Sequence, residues 1–356
     1  ISNHIGAAGS SVEKAFVMVI DTTMTGDAYP DNQYLLTTQG GDVFQGYDYT
    51  LKTSDGQEFN NLTGNILITF PSPGVYTLKI SGKFAGVKNT GTSGVKIVDI
   101  KNWGDWQELQ WNRCNQGFRD CVNLTTFSAS DAPYLGNIDS LGLRNMFLNC
   151  TSLNADFSKW DVSSVGDFDG FLNGCTVFNN PSLNNWDMSS ATRLNYMFSN
   201  AKAFNQDLSA WDVSNVITMT YMFNTALAFN GDVSTWNTSS LTGSLATLFS
   251  RTSFNGDLSN WDVSGVTSLG NTFAYSPFNN NSISNWDVSN VSIFSGTFVS
   301  TSFNQDLSNW DTGSAQSMQN MFSGSGFDNA SIGNWNVSNV SDMAYMFYNC
   351  VFNKDI

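Results

Sequence analysis

Residues 204–226 read FNQDLSAWDVSNVITMTYMFNTA, and close copies of this stretch recur through the second half of the chain. Trp160, Trp186, Trp211, Trp236, Trp261, Trp286, Trp310 and Trp335 stand 26, 25, 25, 25, 25, 24 and 25 residues apart. A period in that range identifies a repeat architecture, in which each unit buries its apolar face only against its neighbours. These tryptophans therefore share one structural position. Burying on the order of 150–250 Å² each, they read as core, worth roughly 4–6 kcal/mol apiece as an upper bound.

Within the unit, Val216, Met219, Met222, Phe223 and Ala226 recur at three- and four-residue intervals, which predicts a short helix. Asp212 or Ser214 is placed to cap its free amides, and QDLSA before it reads as a strand. One parallel strand and one helix per 25 residues or so is an α/β solenoid of leucine-rich-repeat type. The residue three before each Trp is apolar, and the residue six before it is Asn throughout, with Asn205, Asn230, Asn255 and Asn304 among them. A buried amide without partners costs roughly 1–3 kcal/mol, so these asparagines are expected to form a ladder bonded to turn backbone.

With no apolar run near the length of a membrane span, the chain is not expected to insert in a membrane. Its net charge of −15 repels nucleic acid and anionic lipid. Cys121, Cys150, Cys175 and Cys350 occupy a slot where other units carry small residues such as Ala201, Ala226 and Ser276, and they read as unpaired core thiols. Cys150 with Cys175, and Cys114 with Cys121, are the conceivable disulfides. Residues 351–356, VFNKDI, start another unit that stops short of its Trp. The expectation is a truncated last rung, a piece of a longer polypeptide, and an open solenoid end available for assembly.

Residues 1–12, with the single His4, read as a linker or arm. From 13 to 85, short alternating runs such as AFVMVIDTT, YDYTLKT and VYTLKI predict an all-β sandwich domain. SDGQEF followed by ITFPSPGVYTLKISGKF resembles the closing half of PKD-type sandwiches: Asp55 and Gly56 match the turn of that motif, while its Trp is missing. Residues 86–99 are a connection. From about 100 to 356, VDIKNWGDWQELQW followed by the repeated FNQDLSAWDVSNV and MFxxA resembles the BspA-like family of bacterial surface repeats, with 100–135, holding Trp103, Trp106 and Trp111, as an N-terminal cap. The resemblance implies a cell-surface or secreted, non-enzymatic protein that attaches to proteins, cells or matrix.

Catalytic chemistry finds no support. A hydroxyl nucleophile needs a base, and the only histidine lies in the arm. Asp161, Asp187, Asp212, Asp262, Asp287 and Asp311 follow their tryptophans, with Asn237 and Asn336 in the other two units, but an active site is singular and this column is repeated. Carboxylates stacked near 5 Å repel by about 3 kcal/mol at an effective dielectric of 20. Either each Asp accepts N–H bonds from its own turn, or Ca²⁺ bridges the column, an option the Ser interruptions of the neighbouring Asp column weaken. No cofactor is required.

The function expected is therefore adhesion to, or recognition of, a host or matrix protein or glycan, outside the cell. The alternatives are a virion fibre or receptor-binding component, or a structural spacer. The candidate binding face is the variable strand side, with Gln206, Asp207, Asp232, Asp257, Gln305 and Asp306, and the tyrosines Tyr196, Tyr221 and Tyr345 offer a second contact surface.

Overall fold

Among the described residues the N-terminal part forms seven strands, and the alternation is cleanest in Gln33–Leu36, Asp48–Thr53 and Val75–Lys83, which bury every second side chain over most of their length. The computed structural model describes residues 14–39, 47–89, 92–105, 109 and 113–355. The arm with His4, and Trp106 and Trp111 of the expected cap, lie outside the described residues. The strands are β1 (Phe16–Asp21), β2 (Gln33–Leu36), β3 (Asp48–Thr53), β4 (Glu58–Leu62), β5 (Ile66–Thr69), β6 (Val75–Lys83) and β7 (Ile97–Asn102). One antiparallel sheet runs β4-β3-β6-β1-β7, and β2 pairs with β5 in a second. Tyr49 and Leu51 of β3 and Leu78 and Ile80 of β6 point into the core. β7 carries the larger sheet through the stretch read as connection and into the one read as cap.

The repeats are not an α/β solenoid of leucine-rich-repeat type. Where a helix was expected, residues 219–226 form tandem tight turns. The N–H groups of Tyr221, Phe223 and Thr225 leave the unit and bond to the carbonyls of Ala246, Leu248 and Ser250 in the next one, at 3.1, 3.1 and 2.9 Å. Those of Met222, Asn224 and Ala226 close back on Met219, Tyr221 and Phe223. An α-helix would bond every amide to its own chain and leave neighbouring units only side chains to share. The alternation requires left-handed residues at two places per unit: Tyr221 and Thr225 both have φ 61°, and Tyr196 and Asn200 both have φ 57°. Apolar spacing of three and four fits tandem turns as well as helix, which is why the periodicity misled. Among the described repeat residues, helical backbone is confined to the 3-10 turns Pro181–Leu183, Asn281–Ile283 and Ala330–Asn334.

The strand expected at QDLSA is absent too. Parallel pairing falls five to eight residues after the Trp instead, running Asp167–Arg193–Thr218 and then from β8 (Gly243–Ser244) through β9 (Val266–Ser268) to Ile293, Ser317 and Asp342. The turn ladder starts inside the stretch expected as a cap, since Gln116, Phe118 and Asp120 already donate to Arg144, Met146 and Leu148.

Aromatic columns fill the interior. Trp186, Trp211, Trp236, Trp261, Trp286, Trp310 and Trp335 each donate Nε1–H to a carbonyl of the preceding unit, those of Phe157, Leu183, Leu208, Val233, Leu258, Ile283 and Leu307, at 2.8 to 3.2 Å. The acceptor is in each case the apolar residue three before the previous Trp. The Trp211 and Trp236 rings stack at 6.3 Å and 3°. Beside them, from Phe198–Phe204 onward, a phenylalanine pair stacks face to face in each unit, as in Phe223–Phe229 at 3.8 Å and Phe273–Phe278 at 3.9 Å. Trp103 closes the N-terminal end, edge-on to Trp160 at 5.2 Å and to Phe118 at 5.7 Å, while Phe16 of β1 lies 6.3 Å away. All five cysteines are free. The Cys150 and Cys175 thiols donate to the carbonyls of Phe118 and Phe147, much as the hydroxyls of Ser276 and Thr301 donate to Phe273 and Phe298. Burial pushes the Cys121 and Cys175 thiols well above their ordinary range.

Replacing Trp211 by Ala removes a buried ring and one of the two hydrogen bonds to the carbonyl of Leu183, leaving only that from the Trp186 N–H. We expect a cost of roughly 3–5 kcal/mol by chemical denaturation. A change below about 1 kcal/mol, the range of uncoupled surface substitutions, would place this Trp outside the core.

Candidate functional site

Two surfaces run along the stack, and they differ in what their side chains are already doing. On the face flanking the Trp column, the predicted residues Asp207, Asp232, Asp257 and Asp306 each accept from the backbone N–H two positions on, that of Ser209, Ser234, Ser259 and Ser308, at 2.8 to 2.9 Å. These are Asx turns. The column after the Trp does the same: Asp187, Asp212, Asp262 and Asp287 hold the N–H groups of Ser189, Ser214, Ser264 and Ser289, and Asn237 and Asn336 hold those of Ser239 and Ser338. The Ser189, Ser214 and Ser289 hydroxyls, and then their amides, hold Asp187, Asp212 and Asp287 below the usual carboxylate range. For Asp207 and Asp306 the amide contributes most. Among the described residues, no group of three acidic, His or Cys side chains converges as a metal site. A depression of about 540 Å³ on this face, bounded by Asp156, Asp161, Asp187, Trp160 and Trp186, is lined by the same turn-forming carboxylates.

The asparagine ladder exists, but on the surface and with a different membership. It consists of the residue that follows Phe178, Phe204, Phe229 and their counterparts. Asn179, Asn205, Asn230, Asn255, Asn279 and Asn304 hand a side-chain oxygen to the N–H of the matching residue in the next unit, and Asp328 continues the series to Asn353. Asn180, Asn280 and Asn329, which the Trp-based count places in the ladder, instead cap the 3-10 turns by accepting from Ser182, Ser282 and Ser331. Units with Pro181, Asn281 or Ala330 hold one extra residue between Phe and Trp, so counting back from Trp misses by one. Gln206 and Gln305 brace this ladder by donating to Asn179 and Asn279. The expected binding face is therefore occupied by its own hydrogen bonds.

The second surface is the ridge of left-handed residues. Tyr196, Tyr221 and Tyr345 stand ten residues after their tryptophans with φ of 57, 61 and 58°. Tyr196 is 42% exposed and Tyr345 65%. The Tyr196 and Tyr221 rings stack at 4.8 Å and 9°. Along a parallel line four residues further on, the guanidinium of Arg251 lies 4.3 Å from the ring centre of Tyr275, itself 49% exposed. At the N-terminal end of the same side, Arg144 and Arg193 clamp Asp167 and Asp169 across three units, with contacts of 2.7 Å from Arg144 to Asp167 and 2.9 Å from Arg193 to Asp169. Burial pushes the Asp167 carboxyl up against the pull of Arg144. Sequence reasoning missed Arg251, Tyr275 and the arginine clamp. A signal for the ridge was present: the position ten after Trp reads Gly170, Tyr196, Tyr221, Ala246, Asn271, Gly296, Asn320, Tyr345, with Thr247 the left-handed residue in the unit of Trp236, and its Gly and Asn content marks a left-handed turn.

Residues 141–252 and 243–356 each match the model of one family, described as Mycoplasma protein of unknown function, DUF285. The chain belongs to this family. The two DUF285 matches cover the Trp column, the Asn ladder and the ridge from Asn145 onward, and leave the N-terminal sheets outside. No curated protein and no solved structure matches the chain.

If the DUF285 ladder asparagines are structural acceptors, Asn205→Asp should change stability by less than about 0.5 kcal/mol, since Asp328 serves natively, whereas Asn205→Ala should cost about 1 kcal/mol. Urea titration of both variants checks this. Equal behaviour of the two would remove the acceptor role.

Proposed function

We propose that this DUF285 chain is a non-enzymatic recognition module that works outside the cell, as its likeness to the BspA-like surface repeats implies, and that it engages protein or glycan through the left-handed ridge. The observation that carries this reading is the exposed aromatic content of that ridge. A non-glycine residue in left-handed backbone costs on the order of 1–2 kcal/mol relative to ordinary conformations. Gly296 and Gly170 stand at the same position where the fold needs no side chain. Tyr196 and Tyr345 bear that cost while exposing about half of their surface. Tyr and Arg are also the residue types that dominate binding hot spots. Spread over successive units, such side chains act together on an extended or repetitive partner.

A spacer is the second reading. The observation in its favour is the face beside the Trp column, where the carboxylates and amides are held in turns and ladders and are not free for a partner.

The test presents the purified chain and a Tyr196→Ser/Tyr221→Ser variant to immobilised matrix proteins, host cells and a glycan array. We expect the parent chain to bind at least one of them and the double variant to bind at least roughly tenfold more weakly, as loss of hot-spot residues requires, with an unchanged unfolding midpoint. A folded parent chain that binds none of the three would favour the spacer.

A further inference from the structure

On the ridge, three consecutive units enclose a depression of about 300 Å³ beside Tyr275, at the lower end of the roughly 300–1,000 Å³ typical of small-molecule pockets. Its floor is Gly296, with φ 65°, at the position occupied by tyrosine in the units of Tyr196, Tyr221 and Tyr345. No side chain projects from that place in the column, and the Oδ1 of Asn271 lies 2.2 Å from where a Cβ would stand.

The chemistry of the walls is specific. The lining includes Asn271, Gln319, Asn320 and Ser323 and holds no carboxylate, ammonium, guanidinium or imidazole. The amides of the other face are consumed by the ladder. Here, among the described residues, the side-chain amides of Asn271, Gln319 and Asn320 make no hydrogen bond to protein, so each offers both a donor and an acceptor. The one aromatic wall is Tyr275. Arg251, which lies over that ring at 4.3 Å, belongs to the preceding unit, whereas the depression is built from the unit of Tyr275 and the two that follow it. The guanidinium thus covers one face of the ring and steadies it, and the opposite face looks into the depression.

A flat aromatic face beside uncharged groups that both donate and accept fits a ligand with an apolar C–H face and a rim of hydroxyls. We propose that this depression binds a neutral pyranose sugar, one ring stacked on the free face of Tyr275 and its hydroxyls held by Asn271, Gln319 and Asn320. The inference rests on the recognition reading above and names its ligand class at one place on the ridge. A single shallow site binds one sugar weakly, so useful affinity comes from several copies of the chain on a multivalent glycan.

The probes are the methyl glycosides of glucose, galactose, mannose and N-acetylglucosamine, at roughly 10 mM where millimolar affinity is readable, followed by saturation-transfer NMR on the whole chain. Tyr275→Ala removes the platform. Gly296→Tyr fills the floor with the residue that the fold already accepts at Tyr196 and Tyr221. Its Cβ would meet the Oδ1 and Cγ of Asn271 at 2.2 and 3.1 Å and the Cγ2 of Val299 at 3.4 Å, so the Asn271 side chain has to swing away. We expect at least one glycoside to receive saturation on its ring protons and both variants to weaken that binding at least tenfold. Thermal unfolding identifies a variant that fails to fold, and the other then decides. No transfer to any glycoside, or transfer unchanged in the folded variants, overturns the proposal. Silent glycosides with retained binding to a matrix protein end this inference alone; silence in both assays ends the recognition reading as well.

Discussion

Every second backbone amide of the turn segment bonds to the neighbouring unit, and the rest of the architecture follows from that alternation. A segment that gives half its N–H groups to the next unit cannot be a helix, and it cannot be a plain strand while the other half close tight turns. The chain meets both demands by placing two residues per unit in the left-handed region, four positions apart, as at Tyr221 and Thr225. Units held at backbone bonding distance bring like side chains into register. The indole N–H of each Trp from Trp186 onward then reaches a carbonyl of the unit before it, and the phenylalanine pairs extend into continuous columns. Small residues such as Cys150, Ala201 and Ser276 are needed where the turns fold back on the core.

Much of this was legible in the sequence, and the failures have identifiable causes. The Trp period locates the units and the core because a large buried side chain tolerates little displacement. The helix was misread because apolar spacing reports only which side of the chain faces inward. Tandem turns of three to four residues return the chain to that side as faithfully as a helical turn does. The discriminating evidence lay in polar positions, in the Gly and Asn that alternate with Tyr ten residues after each Trp. The ladder was misassigned because counting started from Trp, and the extra residue in units such as that of Pro181 sits between Trp and the ladder. Counting from Phe178, Phe204 and Phe229 gives the membership that the hydrogen bonds display.

The division of labour between the two surfaces reflects the same constraint. Asp and Asn side chains beside the Trp column close turns and tie units together, so their regularity is structural and they are poor candidates for a ligand. The ridge residues project from backbone that is fixed by main-chain bonds, which leaves their side chains free to vary between Gly296, Thr247, Asn320 and Tyr221 without disturbing the stack. Variation at a rigidly held position is what a recognition surface uses, and the gap at Gly296 beside Tyr275 is the place where that variation makes a concave site.

The left-handed ridge can be tested through the sign of a single substitution. Thr247 has φ 62° and donates its N–H to Gly270 of the next unit. Replacing it with Gly relieves a β-branched residue of roughly 1–2 kcal/mol of left-handed strain and adds roughly 0.5–1 kcal/mol of chain entropy to the unfolded state. Denaturant titration of Thr247→Gly should therefore show a gain of about 0.5–1 kcal/mol, the balance of these two terms. A loss of stability, as Gly produces inside a helix, would contradict the alternating-turn architecture.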